Sequence, residues 1–287
     1  GLYVGDDPRA LAKQWWRDPF NAPRDGWSPD DLPLDGTLLA APGNMKLRIQ
    51  DEAGLVRLRY PPSGAVEAWL RRSGLSPVES RRRVEKLNEF IRSEPGSFRY
   101  SRVAADYQRA NLPPPPGRQL LAPLEVMNVL TWELTDPPFD ASQWTDAVTV
   151  LYRGAININS VPESLLPLMP DMSESQAQRF IKARAIAPIN GGLRLPGRRG
   201  AALDPFTYTY LSGKLFRITL GSTLQGRALR YHVRLAPELD GGAPWRIELA
   251  YPVDLQTDGE STEPSTGQTI AHPLLAAPAD SGRQSGR

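Results

Sequence analysis

The sequence predicts an α+β fold in which an antiparallel sheet is interrupted by a large all-helical insertion. Three observations predict it: alternating apolar and polar residues around Met45 to Arg59, a second alternating block from Leu215 to Tyr251, and between them a long run of capped helical segments. With 287 residues there is chain enough for one large domain or two modest ones, each with a real core.

The chain opens abruptly at Gly1-Leu2-Tyr3-Val4 and carries Leu11, Ala12, Trp15 and Trp16 at helical spacing, so a helix remnant is expected there, one that began upstream. From Asp18 to Gly43 the prolines at 19, 23, 29, 33 and 42 forbid regular helix and predict an extended connector. Lys46-Leu47-Arg48-Ile49-Gln50 and Leu55-Val56-Arg57-Leu58-Arg59 read as two paired strands joined by a turn at Asp51-Glu52-Ala53-Gly54. Pro61 and Pro62 close that unit.

The helical block follows. A short helix with Val66, Trp69 and Leu70 stops at Gly74, and Ser76-Pro77-Val78-Glu79 is a start signal for a longer one burying Val84, Leu87 and Ile91. Pro113 to Pro116 must be a stiff extended linker, and a helix from Pro123 to about Thr131 should turn Leu124, Met127 and Leu130 inward. Ser160-Val161-Pro162-Glu163 and Ser173-Glu174-Ser175-Gln176 have the form of two capping boxes, predicting consecutive helices over 162–168 and from Glu174 to about Ala185 around the joint Met169-Pro170-Asp171-Met172. Ala177, Phe180 and Ile181 are the core residues of the second.

A Gly- and Arg-rich loop from Asn190 to Ala202 then leads into a three-stranded antiparallel meander: Leu215 to Leu220, Leu229 to Leu235, and Trp245 to Tyr251. Its expected core face carries Ile218, Tyr231, Val233 and Ile247, covered by the N-terminal helix. Beyond Asp254 the tail is rich in Ser, Thr, Pro, Gly and Ala, and the composition predicts disorder. The resulting divisions are 1–61 and 206–255 for the sheet-bearing domain, 62–205 for the helical insertion, and 256–287 for the tail.

Composition narrows the function. Thirty-four basic against 32 acidic residues leave a net charge of +2, too small for a whole-molecule field that captures nucleic acid or membrane. Without cysteine there is neither a disulfide framework nor a thiolate metal site. No P-loop, G-x-S-x-G or H-E-x-x-H pattern occurs, and neither His232, read as lying on the exposed sheet face, nor His272 in the tail is placed to activate a serine. No catalytic residue is assigned, and the chain is read as non-enzymatic.

Particular words of sequence carry a resemblance. They are Asp51-Glu52-Ala53-Gly54 closing an alternating segment, Tyr107 with Asn111-Leu112-Pro113, Leu124-Glu125-Val126, and above all Val148-Thr149-Val150 leading into Ile156-Asn157-Ile158-Asn159-Ser160-Val161-Pro162-Glu163 and Leu165-Leu166, with Arg184 closing the second helix. The chain thereby resembles the K-type minor pseudopilins of the type II (general) secretion system from about Lys13 to Val253. The resemblance implies a pilin-like domain, with an N-terminal stem helix packed on an antiparallel sheet, and an inserted helical domain. It also implies an inner-membrane helix absent from this chain, periplasmic exposure, and a tip complex with the I-type and J-type minor pseudopilins that initiates or caps the pseudopilus. The major pseudopilin and the secreted substrate are further partners of this kind. No cofactor is implied, since the acidic stretch that holds calcium in some relatives is replaced here by Phe90-Ile91-Arg92-Ser93-Glu94; an acidic connector still leaves calcium as an open expectation.

Partner-interface candidates are Leu11, Trp15 and Trp16, on a stem helix that would meet neighbouring subunits as well as cover the sheet. Asn157 and Asn159 are expected to turn the chain and bond backbone, and Arg81-Arg82-Arg83 to form a solvated outer face. Two other readings stand beside the leading one: a minor pilin of a type IV pilus-like filament, and a helix-hairpin-helix DNA-binding module. The second is opposed by Pro170-Asp171-Met172-Ser173, where the glycines that let backbone amides approach phosphate are missing.

Overall fold

The structure is a computed structural model, and it describes residues 33–41, 44–58, 64–132, 140–186, 188–189, 203–204, 206–222, 227–236, 243–254 and 270–271. Along the chain the elements are β1 (Asp35–Ala41), β2 (Met45–Asp51), β3 (Val56–Arg57), α1 (Gly64–Arg72), α2 (Pro77–Arg92), α3 (Phe98–Arg109), α4 (Ala141–Ala147), β4 (Val148–Thr149), β5 (Ile156–Asn157), α5 (Glu174–Arg184), β6 (Tyr208–Thr209), β7 (Leu215–Ser222), β8 (Arg227–Leu235), β9 (Trp245–Asp254) and β10 (Ile270–Ala271). They fall into two compact units. One is built from residues 1–51 and 214–287, the other from 52–213.

The first unit holds a six-stranded sheet in the order β10-β1-β2-β7-β8-β9. The meander expected from the alternating block is its second half, with β7, β8 and β9 antiparallel neighbours. Its first half corrects the sequence reading. β2 does not pair with 55–59; it lies between β1 and β7, antiparallel to both. The proline-rich connector ends early, because between Pro33 and Pro42 the chain is proline-free and pairs as β1, a limit proline imposes by lacking a ladder donor. The tail also supplies a strand: Ile270 and Ala271 pair in parallel with Leu39 and Ala40. Leu39, Leu47, Ile49 and Phe216 form the buried cluster on one face of the sheet.

The chain leaves the sheet at Asp51 and re-enters it in β7, where Asp51 and Phe216 stand directly opposite one another. The second unit is therefore interposed between two neighbouring strands. It has its own core, centred on Trp144, whose ring lies 5.0 Å from Trp69 and 5.1 Å from Trp132. Burying an indole requires a partner for its N–H. Trp132 Nε1 donates to the Arg83 carbonyl at 3.1 Å and Trp144 Nε1 to the Pro123 carbonyl at 2.9 Å.

Two of the helices in this unit follow their sequence signals closely. Ser76 accepts from the Glu79 amide to start α2, which buries Leu87 and Ile91, and Gly74, at φ +95°, ends the preceding turn. Ser173 and Gln176 form the full reciprocal capping box of α5, which buries Ala177 and Phe180.

Elsewhere tertiary packing overrides the local signal. The 123–128 segment is a 3-10 turn that buries Val126 and then Val129, while Leu124 is 42% exposed. The first apparent capping box does not cap: the Ser160 hydroxyl donates to the Asn157 carbonyl, and only residues 166–168 form a 3-10 turn. α3 and α4 carry too few apolar positions to have been read from periodicity. The second strand of the expected hairpin instead pairs in parallel with 148–149, and β5 pairs in parallel with β6.

Candidate interaction surfaces

A tightly specified place in the second unit is the junction between residues 52–54 and the turn after β5. Glu52, Ala53 and Gly54 form a buried 3-10 turn, and a Cβ placed on Gly54 would stand 2.2 Å from the Ser160 carbonyl oxygen. No side chain fits there, so glycine is required by close approach rather than by an unusual φ. Beside it, the fully buried Glu52 carboxylate accepts a short hydrogen bond from the Thr149 hydroxyl.

The asparagines act as the sequence reading expects. Asn157 Oδ1 accepts from the Asn159 amide at 3.1 Å. The Asn159 side chain donates to the carbonyls of Ile189 (2.9 Å) and Tyr210 (3.1 Å) and accepts from the Ile189 amide (2.8 Å). One amide group thus ties three chain segments together, giving buried backbone its obligatory partners. Arg184, at the end of α5, donates to the carbonyls of Val161 and Ile158 and so anchors the same turn from the other side.

The hairpin before α5 is organised for packing. Met169 and Met172 are buried, Asp171 is exposed with φ +55°, and the Pro170 carbonyl accepts from the Tyr208 hydroxyl. Burial holds the Tyr208 hydroxyl protonated well above the usual phenol range, with the nearby Asp171 charge adding to the effect.

The basic run on α2 divides. Arg81 and Arg82 are exposed, but Arg83 is 4% exposed and donates to the Thr131 carbonyl, correcting the expectation of a uniformly solvated face. A long aliphatic stem permits this once the guanidinium has an acceptor. A surface clasp of the opposite character joins Arg118 and Glu125. Burial works to raise the Glu125 carboxyl, but Arg118, 2.7 Å away, and the Leu121 amide bring it below the usual carboxylate value.

The sheet of the first unit presents two unlike faces, and burial departs from the sequence expectation at one margin of the apolar face and across the polar one, while Val233 is buried as expected. On the apolar face Leu229, Ile247 and Trp245 are 46–48% exposed. Ile247, expected in the core, is thus at its margin. On the opposite face Arg217, Thr219, Arg230 and His232 are at most 5% exposed. His232 is therefore buried, with Nε2 3.2 Å from the Tyr251 hydroxyl, rather than exposed. At the edge, Glu248 bridges Arg234 and Arg246. The Arg246 hydrogen bond, with that of Arg234 behind it, holds its carboxyl below the usual range against the opposing effect of burial.

Leu11, Trp15 and Trp16 lie outside the described residues, as do the loop arginines Arg194, Arg198 and Arg199. Among the described residues no group of three or more His, Asp or Glu is arranged to hold a metal ion, and no helix is long and apolar enough to cross a membrane.

These features define a class: a two-unit α+β protein, with a compact, helix-rich unit interposed between neighbouring strands of a mainly antiparallel sheet. Neither a protein-family model nor a curated protein matches the chain. Among solved structures it is similar to a chain of the GspK-GspI-GspJ complex from the enterotoxigenic Escherichia coli type 2 secretion system, with 13% identity and a TM-score of 0.48 over 86% of this chain and 93% of that one.

Proposed function

We propose that the chain is a K-type minor pseudopilin, a non-enzymatic assembly subunit of the type II secretion pseudopilus. It joins the I-type and J-type minor pseudopilins in the tip complex and helps initiate or cap the filament during export from the periplasm. The observation that carries this reading is the meeting of two family words. Gly54 closes the first alternating segment and Ile156 to Glu163 is the most distinctive family segment, and the backbone of Gly54 packs against the carbonyl of Ser160 so closely that a Cβ would stand 2.2 Å from it. Residues that are remote in sequence thus explain one another physically.

The interposed unit supports the same reading, because a pilin-like sheet with an inserted helical domain must leave and re-enter through adjacent strands, as β2 and β7 do. The stem helix bearing Leu11, Trp15 and Trp16 would cover the apolar sheet face at Leu229, Trp245 and Ile247 and offer its remaining side to neighbouring subunits. Upstream of it would lie the inner-membrane segment.

Light scattering after gel filtration tests the proposal, using this chain alone and mixed with the soluble domains of the I- and J-type pseudopilins of the same organism. A monomer that enters a one-to-one-to-one complex is expected. Absence of any complex at tens of micromolar would remove the tip-subunit role.

A further inference from the structure

The sheet of the first unit ends differently at its two edges. On one side β1 is covered by β10, paired in parallel. On the other, β9 is 10 residues long and pairs only with β8 among the described residues. A long strand with an unpaired row of N–H and C=O groups is a template for a further strand unless something guards it.

The register fixes which groups point away from the sheet. The Ala236 amide donates to the Pro244 carbonyl, so the even-numbered residues of β8 direct their backbone groups toward β9. Arg246 stands opposite Arg234 and therefore turns its backbone inward, while Trp245 and Ile247 on either side of it turn theirs outward. One extra residue, Glu248, then shifts the register, since Val233 stands opposite Ile247 but His232 opposite Leu249. Beyond this bulge Leu249, Tyr251 and Val253 face β8, and Ala250, Pro252 and Asp254 face outward. Every outward residue of β9 is exposed. Pro252 falls in the outward set, where its missing N–H takes nothing from the ladder to β8.

The edge is thus open over a short length. A regular strand carries its hydrogen-bonding residues two apart, which matches Trp245 and Ile247. The next outward residue is three further on, at Ala250, and the one after that has no donor. An added antiparallel strand meets the N–H and C=O of Trp245 and of Ile247 in register and stops at the bulge. Its residues paired with these two would lie on the apolar face, beside an indole 48% exposed and an isoleucine 46% exposed. The residue between them would lie on the other face, next to Arg246. There Arg234 and Arg246 share one carboxylate, Glu248, and the Arg246 side chain stays 64% exposed, so an acidic residue at that place meets positive charge in excess.

We propose that the edge of β9 from Trp245 to Ile247 is a strand-addition site for a partner protein, taking an extended segment whose residues run apolar, acidic, apolar and lie antiparallel to β9. Main-chain bonds hold the segment and the central carboxylate selects it. The bulge and Pro252 limit its length, which keeps the edge from open-ended association. The inference is independent of the functional reading.

The probe is a peptide with blocked ends, Thr-Val-Glu-Val-Thr, titrated into the isotope-labelled full chain and followed by amide chemical shifts. Saturable shifts centred on Trp245, Arg246 and Ile247 are expected, and the same peptide with Lys in place of Glu should bind several-fold more weakly. N-methylation of the two valine amides keeps every side chain but removes the donors that face β9, so it should weaken binding at least about tenfold. In the protein, Ile247→Pro should weaken binding as much, whereas Ile247→Ala should cost about threefold, because only proline removes the outward donor. No shift at these amides with millimolar peptide, shifts elsewhere on the chain, or equal binding by the N-methylated peptide overturns the proposal. A dimer of the chain alone that Ile247→Pro disperses overturns it too, by making a second copy the occupant.

Discussion

Single residues in this protein do their work by closing gaps in the backbone. Gly54 is a sharp case, because an added methyl at 2.2 Å from the Ser160 carbonyl requires two packed turns to separate. Gly54→Ala should cost about 3 kcal/mol, seen as a fall of roughly 10 °C in the midpoint of thermal unfolding. Asn159→Ala removes the side chain that serves Ile189 and Tyr210 and strands an amide and two carbonyls, so a loss of about 2 kcal/mol is expected in denaturant titration with little change in m-value. Both residues were legible in sequence, Gly54 as a family word and Asn159 as a backbone-bonding turn residue. Arg83 and His232 were not, because phase arguments assume that one face of an element is wet. Both sit on faces that other chain covers, and burial there is decided by what packs on top.

At the scale of elements, the pair of apparent capping boxes separates local code from local structure. The Ser173 hydroxyl accepts from the Gln176 amide to cap α5, and the Ser173 amide donates in return to the Gln176 side chain; Ser160, in a similar word, bonds backward to Asn157. Ser173→Ala should therefore destabilise the protein by about 1 kcal/mol through the lost cap, a change measurable by chemical denaturation.

The edge of the sheet gives a pH prediction. The Glu248 carboxyl is held below its usual value by Arg246 and Arg234, so its stabilising contribution is complete above the unfolded carboxylate range near pH 4.3 and is lost as pH falls through the lower folded value. The difference in stability between the native protein and Glu248→Gln should accordingly shrink as titration proceeds below about pH 4. An undiminished difference at pH 2 would mean that the hydrogen bonds, not the charge, carry the effect. The meander and α2 were readable because alternation and capping agreed with their packing. β1, β10 and the parallel pairs were not, since pairing partners remote in sequence leave no periodic trace, and α3, whose buried residues are Val103 and Tyr107, shows too narrow an apolar stripe.

For the whole molecule the governing fact is that one unit is continuous in sequence and the other is not. Residues 52–213 enclose the Trp69, Trp132 and Trp144 cluster, and their hydrogen bonds include the Asn159 ties and the Arg184 anchor. A unit of this size lies within the usual range for an independent core. Its ends join the sheet at β2 and β7, which stand side by side, so excision severs the chain at a junction a short turn could close. The excised segment 52–213 is therefore expected to fold alone, with a cooperative unfolding transition and a structured near-ultraviolet circular dichroism signal from the tryptophan cluster. Exciton-like features arise only when the indoles are held at fixed angles, so a flat spectrum from a fragment that retains helical far-ultraviolet signal would show a collapsed, unpacked state instead. That outcome would make the sheet a requirement for the core, and the two units one folding cooperative.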